Sequence, residues 1–384
     1  MSSLGRNAQW MPWAAMLLAA SLAGCGTAPQ KEGPPPVVFY PALPNPPRIQ
    51  HLTTIASERD VGAQPDSALA KFVLGEDTKK QSLRQPYGVA VYQGKVYVAD
   101  SRAPGLAVFD LANHRFDLVT GTGNGRMKKP INVTIDADGT KYVTDTGRDQ
   151  VLVFDRDDRF LAAYGTSGQF KPVDVAIAGD RLYVVDIQHH EVQVLDKRSG
   201  RLEFKFGKPG SDVGELFHPT NIAIGPDGDI YVVETTNFRV QRFTVEGKPV
   251  RVYGKLGDEL GTFSRPKGIA IDREGRLYVG DAAFENVQVF DNQGRLLMFF
   301  GQPGGAGEGL NLPAGVTIDY ANVDLFRRYA DPRFSVEYLI LVASQFGPNK
   351  VDVFGFGKMQ GVDYPRDEPP PPRASSEGAA KPAQ

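Results

Sequence analysis

The stretch PKGIAIDREGRLYVGDAAFENVQVFDNQGRLLMFFG, residues 266–301, decides the fold. Apolar and polar residues alternate over four short segments of it, at 268–272, 277–281, 287–291 and 296–300, and this period of two predicts β-strands. Two of the connections, Arg273-Glu274-Gly275 and Asn292-Gln293-Gly294, contain a glycine that can adopt the positive φ of a tight turn. Four strands joined by short loops make one antiparallel sheet, which needs a neighbour on each side to bury both of its apolar faces.

The same pattern occurs six times along the chain. Each copy opens on a proline, and successive prolines lie 42 to 47 residues apart: Pro86, Pro130, Pro172, Pro219, Pro266 and Pro313. A period of this length with four strands in each unit is typical of a β-propeller, and six copies predict six blades. The sequence therefore predicts an all-β fold, a six-bladed β-propeller of four-stranded antiparallel blades.

The sixth repeat lacks a fourth strand, because the chain turns polar after residues 351–356. Ile49–Ile55, ahead of the first repeat, has the composition of a strand, and we predict that it pairs into the last blade. This pairing closes the ring and leaves no free sheet edge. Between that strand and the first repeat, residues 66–74 predict a short helix with Asp66 as its N-cap.

Residues 1–24 are predicted to be a targeting segment. Arg6 is its only charged side chain, and the apolar run at residues 10–20 is too short to span a bilayer. Leu22-Ala23-Gly24 then precedes Cys25, the only cysteine of the chain, and this arrangement resembles the lipobox of bacterial lipoproteins. The resemblance implies that Cys25 carries a lipid anchor in the bacterial cell envelope. Gly26, where an aspartate would favour the inner membrane, implies the outer membrane, facing the periplasm.

Both ends of the chain outside the repeats are rich in proline. Residues 25–48 contain eight prolines and predict an extended tether, and residues 359–384 predict a disordered tail. The propeller is therefore expected to occupy residues 49–358, with an insertion at 320–337 in the last blade.

The pattern P-x-G-I-A-I-D, L-Y-V-x-D, V-Q-V-F-D and a final F-G resembles the NHL repeat. Residues 219–254 and 266–301 match it closely, 130–165 and 172–207 match it well, and the first and sixth copies depart from it. The resemblance supports the propeller and leaves the function open, because NHL propellers serve as lyases, RNA binders, sensor domains and scaffolds. The lipobox, the tether and the late insertion together are similar to bacterial envelope NHL lipoproteins. That similarity implies an envelope protein partner, such as a multihaem cytochrome or an export complex.

The charge of the chain argues against nucleic acid as a partner. The formal net charge is −2, and no concentrated run of basic residues is present, whereas nucleic-acid binding requires a basic footprint.

Asn132, Asp174 and Asn221 each stand two residues after a blade proline, in three successive blades. They could converge at the mouth of the central channel and bind Ca²⁺, as the corresponding groups do in calcium-dependent propeller lactonases. The same position holds Gly88, Gly268 and Gly315 in the other blades. Since glycine, asparagine and aspartate best tolerate a left-handed backbone, a backbone requirement is the alternative interpretation.

An acidic residue ends the second strand of five repeats, with Ser344 in the sixth. This recurrence predicts that the acids have a structural role and accept hydrogen bonds from loop N–H groups: Asp100, Asp145, Asp186, Glu234 and Asp281.

The histidines do not match the zinc site of the family. NHL-type zinc lyases place histidine directly after the blade prolines, where this chain has Tyr87, Ile131, Val173, Thr220, Lys267 and Ala314. His189 and His190 are adjacent, so that on an extended chain they point apart, and we expect no metal to be held by the pair.

The insertion at 320–337 predicts a helix that Asn322 caps, with Val323, Phe326 and Tyr329 on one face. It is expected to lie on the face whose turns are rich in aspartate, with Leu325, Phe326, Tyr329 and Phe334 packed as a plug across the channel. Arg327 and Arg328 would then stay exposed as candidate partner contacts. A simple surface embellishment is the other interpretation.

These observations predict a lipid-anchored envelope propeller that acts as a protein-binding or scaffold module, without chemistry or a cofactor of its own. The alternative is a divalent-metal-dependent hydrolase or lactonase that uses Asn132, Asp174 and Asn221, with Ca²⁺ as the metal.

Overall fold

The six repeats form six antiparallel sheets arranged around one axis, as the sequence predicts. The computed structural model describes residues 37–61, 82–166, 168–304 and 309–364. The predicted signal peptide, Cys25, the first part of the tether, the helix at 66–74 and the tail from 365 lie outside the described residues.

Blades one to five each consist of four strands in chain order. Their bounds are β3 (Pro86–Tyr92), β4 (Lys95–Asp100), β5 (Leu106–Asp110) and β6 (Arg115–Val119) in blade one; β7 (Pro130–Ile135), β8 (Lys141–Asp145), β9 (Gln150–Phe154) and β10 (Phe160–Tyr164) in blade two; β11 (Pro172–Ala178), β12 (Arg181–Asp186), β13 (Glu191–Asp196) and β14 (Leu202–Phe206) in blade three; β15 (Pro219–Ile224), β16 (Ile230–Glu234), β17 (Arg239–Phe243) and β18 (Pro249–Tyr253) in blade four; and β19 (Pro266–Ile271), β20 (Leu277–Asp281), β21 (Asn286–Phe290) and β22 (Leu296–Phe300) in blade five. The first strand of each blade lines the axis and contacts the first strand of the next blade.

Blade six is completed by the N-terminal strand, which confirms the predicted closure of the ring. Its strands lie in the order β1-β2-β27-β26-β25, with β1 at Phe39–Tyr40, β2 at Ile49–Ile55, β25 at Pro313–Asp319, β26 at Phe334–Ser344 and β27 at Val351–Met359. Strand β2 runs antiparallel to β27, from Ile49 opposite Phe356 to Ile55 opposite Val351. The inner strand β25 contacts β3 of blade one, so the ring is continuous.

The folded unit extends beyond both predicted boundaries of the propeller, 49 and 358. Phe39 is buried, pairs with Gln50 and packs on the ring of Phe334, with 5.5 Å between ring centroids. At the other end the Tyr364 hydroxyl donates to Pro47 O at 2.7 Å and accepts from Met359 N at 2.8 Å. The last residues of the predicted tether and the first of the predicted tail therefore pack on each other, because apolar side chains in both segments bury themselves against blade six.

The hydrophobic core is divided among the junctions between blades. Each pair of neighbouring blades encloses one apolar cluster, and in the junction of blades one and two, Tyr97 and Val108 pack with Val143 and Leu152. The junction of blades six and one is built differently, since Leu52 and Ile55 of β2, and Val61 of the 3-10 helix Glu58–Val61, join the cluster there. Burial of both faces of every blade explains why the strands are apolar along most of their length.

The predicted helix of the insertion is present and Asn322 stands at its N-cap, but the described residues of the insertion do not form the predicted plug. Helix α1 spans Val323–Phe326 and continues as a 3-10 turn at Arg327–Tyr329. The Asn322 side chain makes no cap hydrogen bond; its Oδ1 instead accepts from Gly94 N of blade one at 2.8 Å.

The apolar side chains of the insertion seal the junction of blades six and one rather than the channel. Phe326 is buried in the cluster of that junction, where Leu325 also packs. Phe334 packs with Phe39 and Met359 at the edge of blade six. The plug prediction was wrong because strand β2 leaves apolar groups uncovered at this junction, which lies closer to the insertion than the channel does. Among the described residues, no helix has the length and apolar character needed to cross a bilayer.

Candidate functional site: the central channel and the loop face

The propeller has two faces, which differ in the connections that they carry. The loop face carries the described residues of the connections between blades, 120–129, 165–166, 168–171, 207–218, 254–265, 301–304 and 309–312, and the connections from the second to the third strand of each blade. The turn face carries the turns from first to second and from third to fourth strands.

The inner strands enclose a cavity of about 530 Å³ along the axis. Polar atoms make up most of the surface exposed to the cavity, although two aliphatic residues of each inner strand of blades two to six lie along it: Val133, Ile135, Val175, Ile177, Ile222, Ile224, Ile269, Ile271, Val316 and Ile318. Residues near the turn face, such as Ile135 and Ile271, are partly exposed, whereas those near the loop face are buried. The cavity therefore opens on the turn face and narrows towards the loop face.

Asn132, Asp174 and Asn221 converge at the narrow, buried end of this cavity, not at its mouth. They are 8%, 4% and 2% exposed, respectively. Asp174 Oδ2 accepts from Ile222 N at 3.0 Å and from Asn221 Nδ2 at 3.2 Å, and its Oδ1 accepts from Val175 N at 2.8 Å. The carboxylate thus links the inner strands of blades three and four.

Crowding at the axis, not a left-handed backbone, explains the residue types at this position. None of the six described residues, which include Gly88, Gly268 and Gly315, has a positive φ. A Cβ added at Gly88 would lie 1.9 Å from Asn132 Oδ1, and one at Gly315 would lie 2.3 Å from Tyr87 O. The backbone interpretation was therefore wrong, since these positions require room and not an unusual φ.

Tyr87 and Lys267 lie at the loop-face end of the channel, at positions that the sequence marked only for their lack of histidine. The Tyr87 hydroxyl of blade one donates to Asn221 Oδ1 of blade four at 3.4 Å, so its side chain crosses the axis. The ammonium of Lys267 lies 5.3 Å from the centroid of the Tyr87 ring and donates to Gln345 Oε1 at 3.1 Å. Burial, with a contribution from Arg265, lowers the pKa of Lys267 to about 8.

The polar end of the cavity fits a hydrogen-bonding ligand better than a metal ion. Burial raises the pKa of Asp174 to about 7, and its N–H partners offset only part of that effect. Calcium requires six to eight oxygen ligands, whereas this end offers one carboxylate whose two oxygens already accept three N–H groups. Asn132 Oδ1 accepts from Val133 N at 2.9 Å, and its Nδ2 donates to none of the described residues.

The acids that end the second strands have the structural role that the sequence predicts. Asp145 Oδ2 accepts from Lys128 N at 2.6 Å, and its Oδ1 accepts from Lys129 N at 3.0 Å and Gly147 N at 2.9 Å. Asp100 and Asp281 hold the equivalent loop residues in the same way, and Ser344 Oγ accepts from Asn311 N. Each acid thereby fixes the loop that leads into its own blade.

The loops entering blades four, five and six are longer than those entering blades two and three, which accounts for the spacing of 47 residues between the last prolines. Each is closed by a short parallel bridge: Pro209 to Leu216, Leu256 to Phe263, and strand β23 (Gln302–Pro303) to β24 (Gly309–Leu310). Leu216, Phe263 and Leu310 anchor these loops and are fully buried.

Several large apolar side chains are exposed on the loop face. Val213 and Leu256 are each 63% exposed and Leu260 is 48% exposed, all in the two long loops that enter blades four and five. Phe346, in the connection from β26 to β27, is 48% exposed, and Phe217 is 39% exposed. Phe217 stacks on His190, with 4.8 Å between ring centroids.

The turn face has a different character, because its acidic residues are paired. Asp158 contacts the buried Lys141 at 2.9 Å, Asp136 contacts Lys197 at 2.7 Å, and Asp272 contacts Arg276 at 2.6 Å. The negative charge of these aspartate-rich turns is therefore largely neutralised within this face.

Arg327 and Arg328, the candidate partner contacts, are exposed on the turn face. Arg327 forms an ion pair with Asp324 of its own helix. Arg328 lies over the ring of Tyr329, 4.8 Å from its centroid, and donates to the Tyr329 hydroxyl at 2.9 Å. Neither guanidinium contacts Asn132, Asp174 or Asn221, so the predicted site residues form two separate groups.

Comparisons with known proteins agree with this architecture. A family model of the NHL repeat matches residues 218–243. The chain is a six-bladed propeller with an NHL repeat in its fourth blade. Over 90 residues it is 34% identical to Protein brain tumor of Drosophila melanogaster, a match that covers 22% of this chain and 9% of that protein. The chain thus matches less than a tenth of the length of this relative.

Two solved propellers are similar in structure. A gluconolactonase of Xanthomonas campestris has a TM-score of 0.54 at 18% identity, covering 84% of this chain and 97% of that chain. Virginiamycin B lyase of Staphylococcus aureus has a TM-score of 0.50 at 15% identity, covering 70% and 80%. At these identities the likeness shows the fold alone.

Proposed function

We propose that this propeller is a lipid-anchored protein of the bacterial envelope that binds a protein partner through its loop face. The observation that carries the proposal is the exposure of Val213, Leu256, Leu260, Phe217 and Phe346 on that face. Isolated apolar side chains on a surface are ordinary, but several on one face of a fold are typical of an interaction site.

The opposite face provides the contrast. Among its described residues, the exposed large apolar side chains include Tyr329 in the insertion, at 36%, and Leu43 in the connection from β1 to β2 at the turn-face end of blade six, at 54%. Its acids are held by neighbouring bases, which leaves little unpaired charge to attract a partner. The loop face is therefore the better candidate, and Arg327 and Arg328 take second place to it.

The expected partner is an envelope protein with an apolar contact surface, and a multihaem cytochrome or an export component is the class that the sequence resemblance suggests. A lipid on Cys25, with the proline-rich residues that follow it, would hold the propeller near an outer-membrane partner on the periplasmic side. Nucleic acid is not the proposed partner, because it would require a concentrated basic patch.

Site-specific photocrosslinking in cells tests the binding face. A photoreactive phenylalanine at Val213 or at Leu256 is expected to give one crosslinked adduct of constant mass. The matched control is Leu161, which is 57% exposed on the outer strand of blade two and is expected to give none. A haem stain of the adduct separates a cytochrome from an export component. Adducts at Arg328 and none at the loop positions, or equal adducts at all positions, would overturn the proposal.

A second candidate function follows from the channel, where a buried carboxyl with a pKa of about 7 lies at the narrow end of a cavity whose exposed surface is mostly polar. Such a site suits a small molecule, and a divalent-metal-dependent hydrolase using Asn132, Asp174 and Asn221 is the form the sequence suggested. Titration with Ca²⁺ tests that form: it predicts a rise in melting temperature for the native chain and none for Asp174→Asn. Equal responses of the two proteins would exclude it.

A further inference from the structure

On the loop face, the turn between the second and third strands of blade three brings three potential metal ligands together. Asp186 ends β12, His189 lies in the turn and Glu191 begins β13, and one ligand atom of each lies within 4.8 Å of the others. The two carboxylate side chains are 0% and 8% exposed, whereas the imidazole is 44% exposed. The group is therefore buried on the protein side and open to solvent through the histidine.

The pairing across the strands is unusual in this blade. Asp186 stands directly opposite Glu191, whereas the residues opposite the strand-ending acids are Gln150 in blade two, Arg239 in blade four and Asn286 in blade five. In blade four Arg239 Nε binds Glu234 at 2.6 Å and neutralises it. Like charges opposite each other destabilise a sheet, so blade three has an excess of negative charge where blade four has an ion pair.

Lys205 compensates this charge only in part. Its ammonium lies 2.9 Å from Glu191 Oε2, but its side chain is 59% exposed, so that solvent screens the pair. Among the described residues, no lysine or arginine side chain pairs with the Asp186 carboxylate; its Oδ1 accepts from Lys171 N and Gln188 N, each at 3.0 Å. Its Oδ2 lies 2.7 Å from Nδ1 of His189, the one side chain of the group that is open to solvent.

The side chain of Gln193 is a second, independent indication that a ligand binds at this group. In blades four and five the equivalent glutamines hold the long loops, since Gln241 Oε1 accepts from Gly214 N and Gln288 Oε1 accepts from Gly261 N. Gln193 is 5% exposed, its Nε2 donates to Asp186 Oδ2 at 3.2 Å and Glu191 Oε1 at 3.1 Å, and its Oε1 is buried without a partner among the described residues. A buried acceptor without a donor is costly, and the other end of the same amide, Nε2, is the one that contacts the two carboxylates.

We propose that Asp186, His189 and Glu191 bind a divalent transition-metal cation, and that the Gln193 amide turns over on binding so that Oε1, instead of Nε2, faces the ion as a further ligand. Two carboxylates and an imidazole are a ligand set that Zn²⁺ accepts, whereas the imidazole disfavours Ca²⁺ and Mg²⁺. The cation neutralises the opposed carboxylates and satisfies the buried carbonyl oxygen. Because His190 follows His189 and stacks on Phe217, the bound ion also fixes the turn beside the exposed apolar residues of the loop face.

Calorimetric titration of the full chain with Zn²⁺ tests this site. All samples carry Cys25→Ser, which removes the one thiol, and are first dialysed against a chelator. We expect one ion bound per chain, a higher melting temperature with Zn²⁺, and no such response to Ca²⁺. His189→Ala is expected to weaken binding at least tenfold, whereas His218→Ala, the matched control on the same face, leaves it unchanged.

A second variant separates loss of the site from loss of the fold. Glu191→Arg recreates the pairing of Glu234 with Arg239 and is expected to abolish Zn²⁺ binding while keeping or raising the melting temperature of the metal-free chain. Equal Zn²⁺ affinity in the His189→Ala and His218→Ala chains would overturn the proposal. So would an absence of Zn²⁺ binding to the Cys25→Ser chain.

Discussion

Closure of the ring by β2 predicts that two isoleucines near the N terminus hold the last blade to its neighbours on both sides. Ile49 is fully buried with Phe354 and Tyr338 in the junction of blades five and six. Ile55 is 2% exposed and packs in the junction of blades six and one. The perturbation is the double variant Ile49→Ala with Ile55→Ala, which keeps the strand and removes only its anchoring side chains.

The expected loss follows from burial. A buried isoleucine shortened to alanine costs about 2–5 kcal/mol. The two positions are six residues apart, roughly 20 Å along a strand, and lie in separate clusters, so the two losses should add. The sum of about 4–10 kcal/mol is comparable with the roughly 5–15 kcal/mol by which a folded domain exceeds its unfolded state. The double variant should therefore be largely unfolded, and each single variant clearly weakened.

Urea unfolding followed by far-ultraviolet circular dichroism measures this loss, because both tryptophans, Trp10 and Trp13, lie in the predicted signal peptide. The control is Leu161→Ala, an equally apolar change at an exposed strand position, which should alter the free energy of unfolding by about 0.5 kcal/mol or less. A chain that begins at residue 56 should lose the whole cooperative transition. A double variant within about 1 kcal/mol of the native chain would refute the role of β2 in closure.

Four further outcomes are expected. Cys25→Ser should leave the melting curve unchanged and move the protein out of the membrane fraction; unchanged acylation and fractionation would contradict the lipobox. Gly88→Ala should lower stability by about 3 kcal/mol or more in urea unfolding because its Cβ would meet Asn132, whereas Gly280→Ala, whose nearest contact would be 3.4 Å, should cost much less. Because the pKa of Asp174 is raised, the folded chain holds one more proton than the unfolded chain between about pH 4 and 7. The stability that this proton contributes is full below pH 4 and falls by about 4 kcal/mol as the pH rises to 7. Asp174→Asn should flatten that part of a profile of the free energy of unfolding against pH. Arg327→Glu with Arg328→Glu should leave both melting and the loop-face crosslinks unchanged, and loss of those crosslinks would move the binding face to the insertion.

The fold was predictable because its signals are local and repeated. Six prolines at nearly constant spacing fix the number of blades, and alternating residues fix the strands, as the agreement of 277–281 and 296–300 with β20 and β22 shows. The closing strand was predictable by elimination, since the sixth repeat lacks a strand that Ile49–Ile55 can supply. What the sequence did not indicate was the pairing of Phe39 and the packing of Tyr364, because both depend on two chain ends that meet only in the closed ring.

The insertion shows that the face and composition of a segment do not predict which apolar surface its side chains cover. The sequence places it on the turn face and predicts its helix, but which apolar surface it covers depends on the junction that β2 leaves incomplete. Asn322 illustrates the same point, since the residue that looks like a helix cap binds the backbone of blade one instead. The exposed loop residues were missed, although the longer spacing of the last repeats was a signal that those loops carry additional residues.

The group of Asp186, His189 and Glu191 was not predicted from the sequence, because only the adjacent pair His189-His190 was tested there as metal ligands. That pair does point apart: His189 faces Asp186, and His218 N donates to His190 Nδ1 at 2.9 Å. The informative spacing is Asp186, His189 and Glu191, which a tight turn between two strands folds onto one spot. Comparison of the repeats would have exposed it, since Glu191 stands where blade four has Arg239.

The six residues that stand two positions after the blade prolines have different roles in the two halves of the ring. Blades two, three and four place Asn132, Asp174 and Asn221 at the axis, and the three glycines lie together in blades five, six and one, where a Cβ would collide with a neighbouring blade. The polar side chains occupy the space that the glycines leave, and their hydrogen bonds join one blade to the next. Their first role is therefore to close the narrow end of the channel. Since Tyr87 crosses above them, a ligand in the channel must enter from the turn face, and a protein on the loop face meets a closed surface.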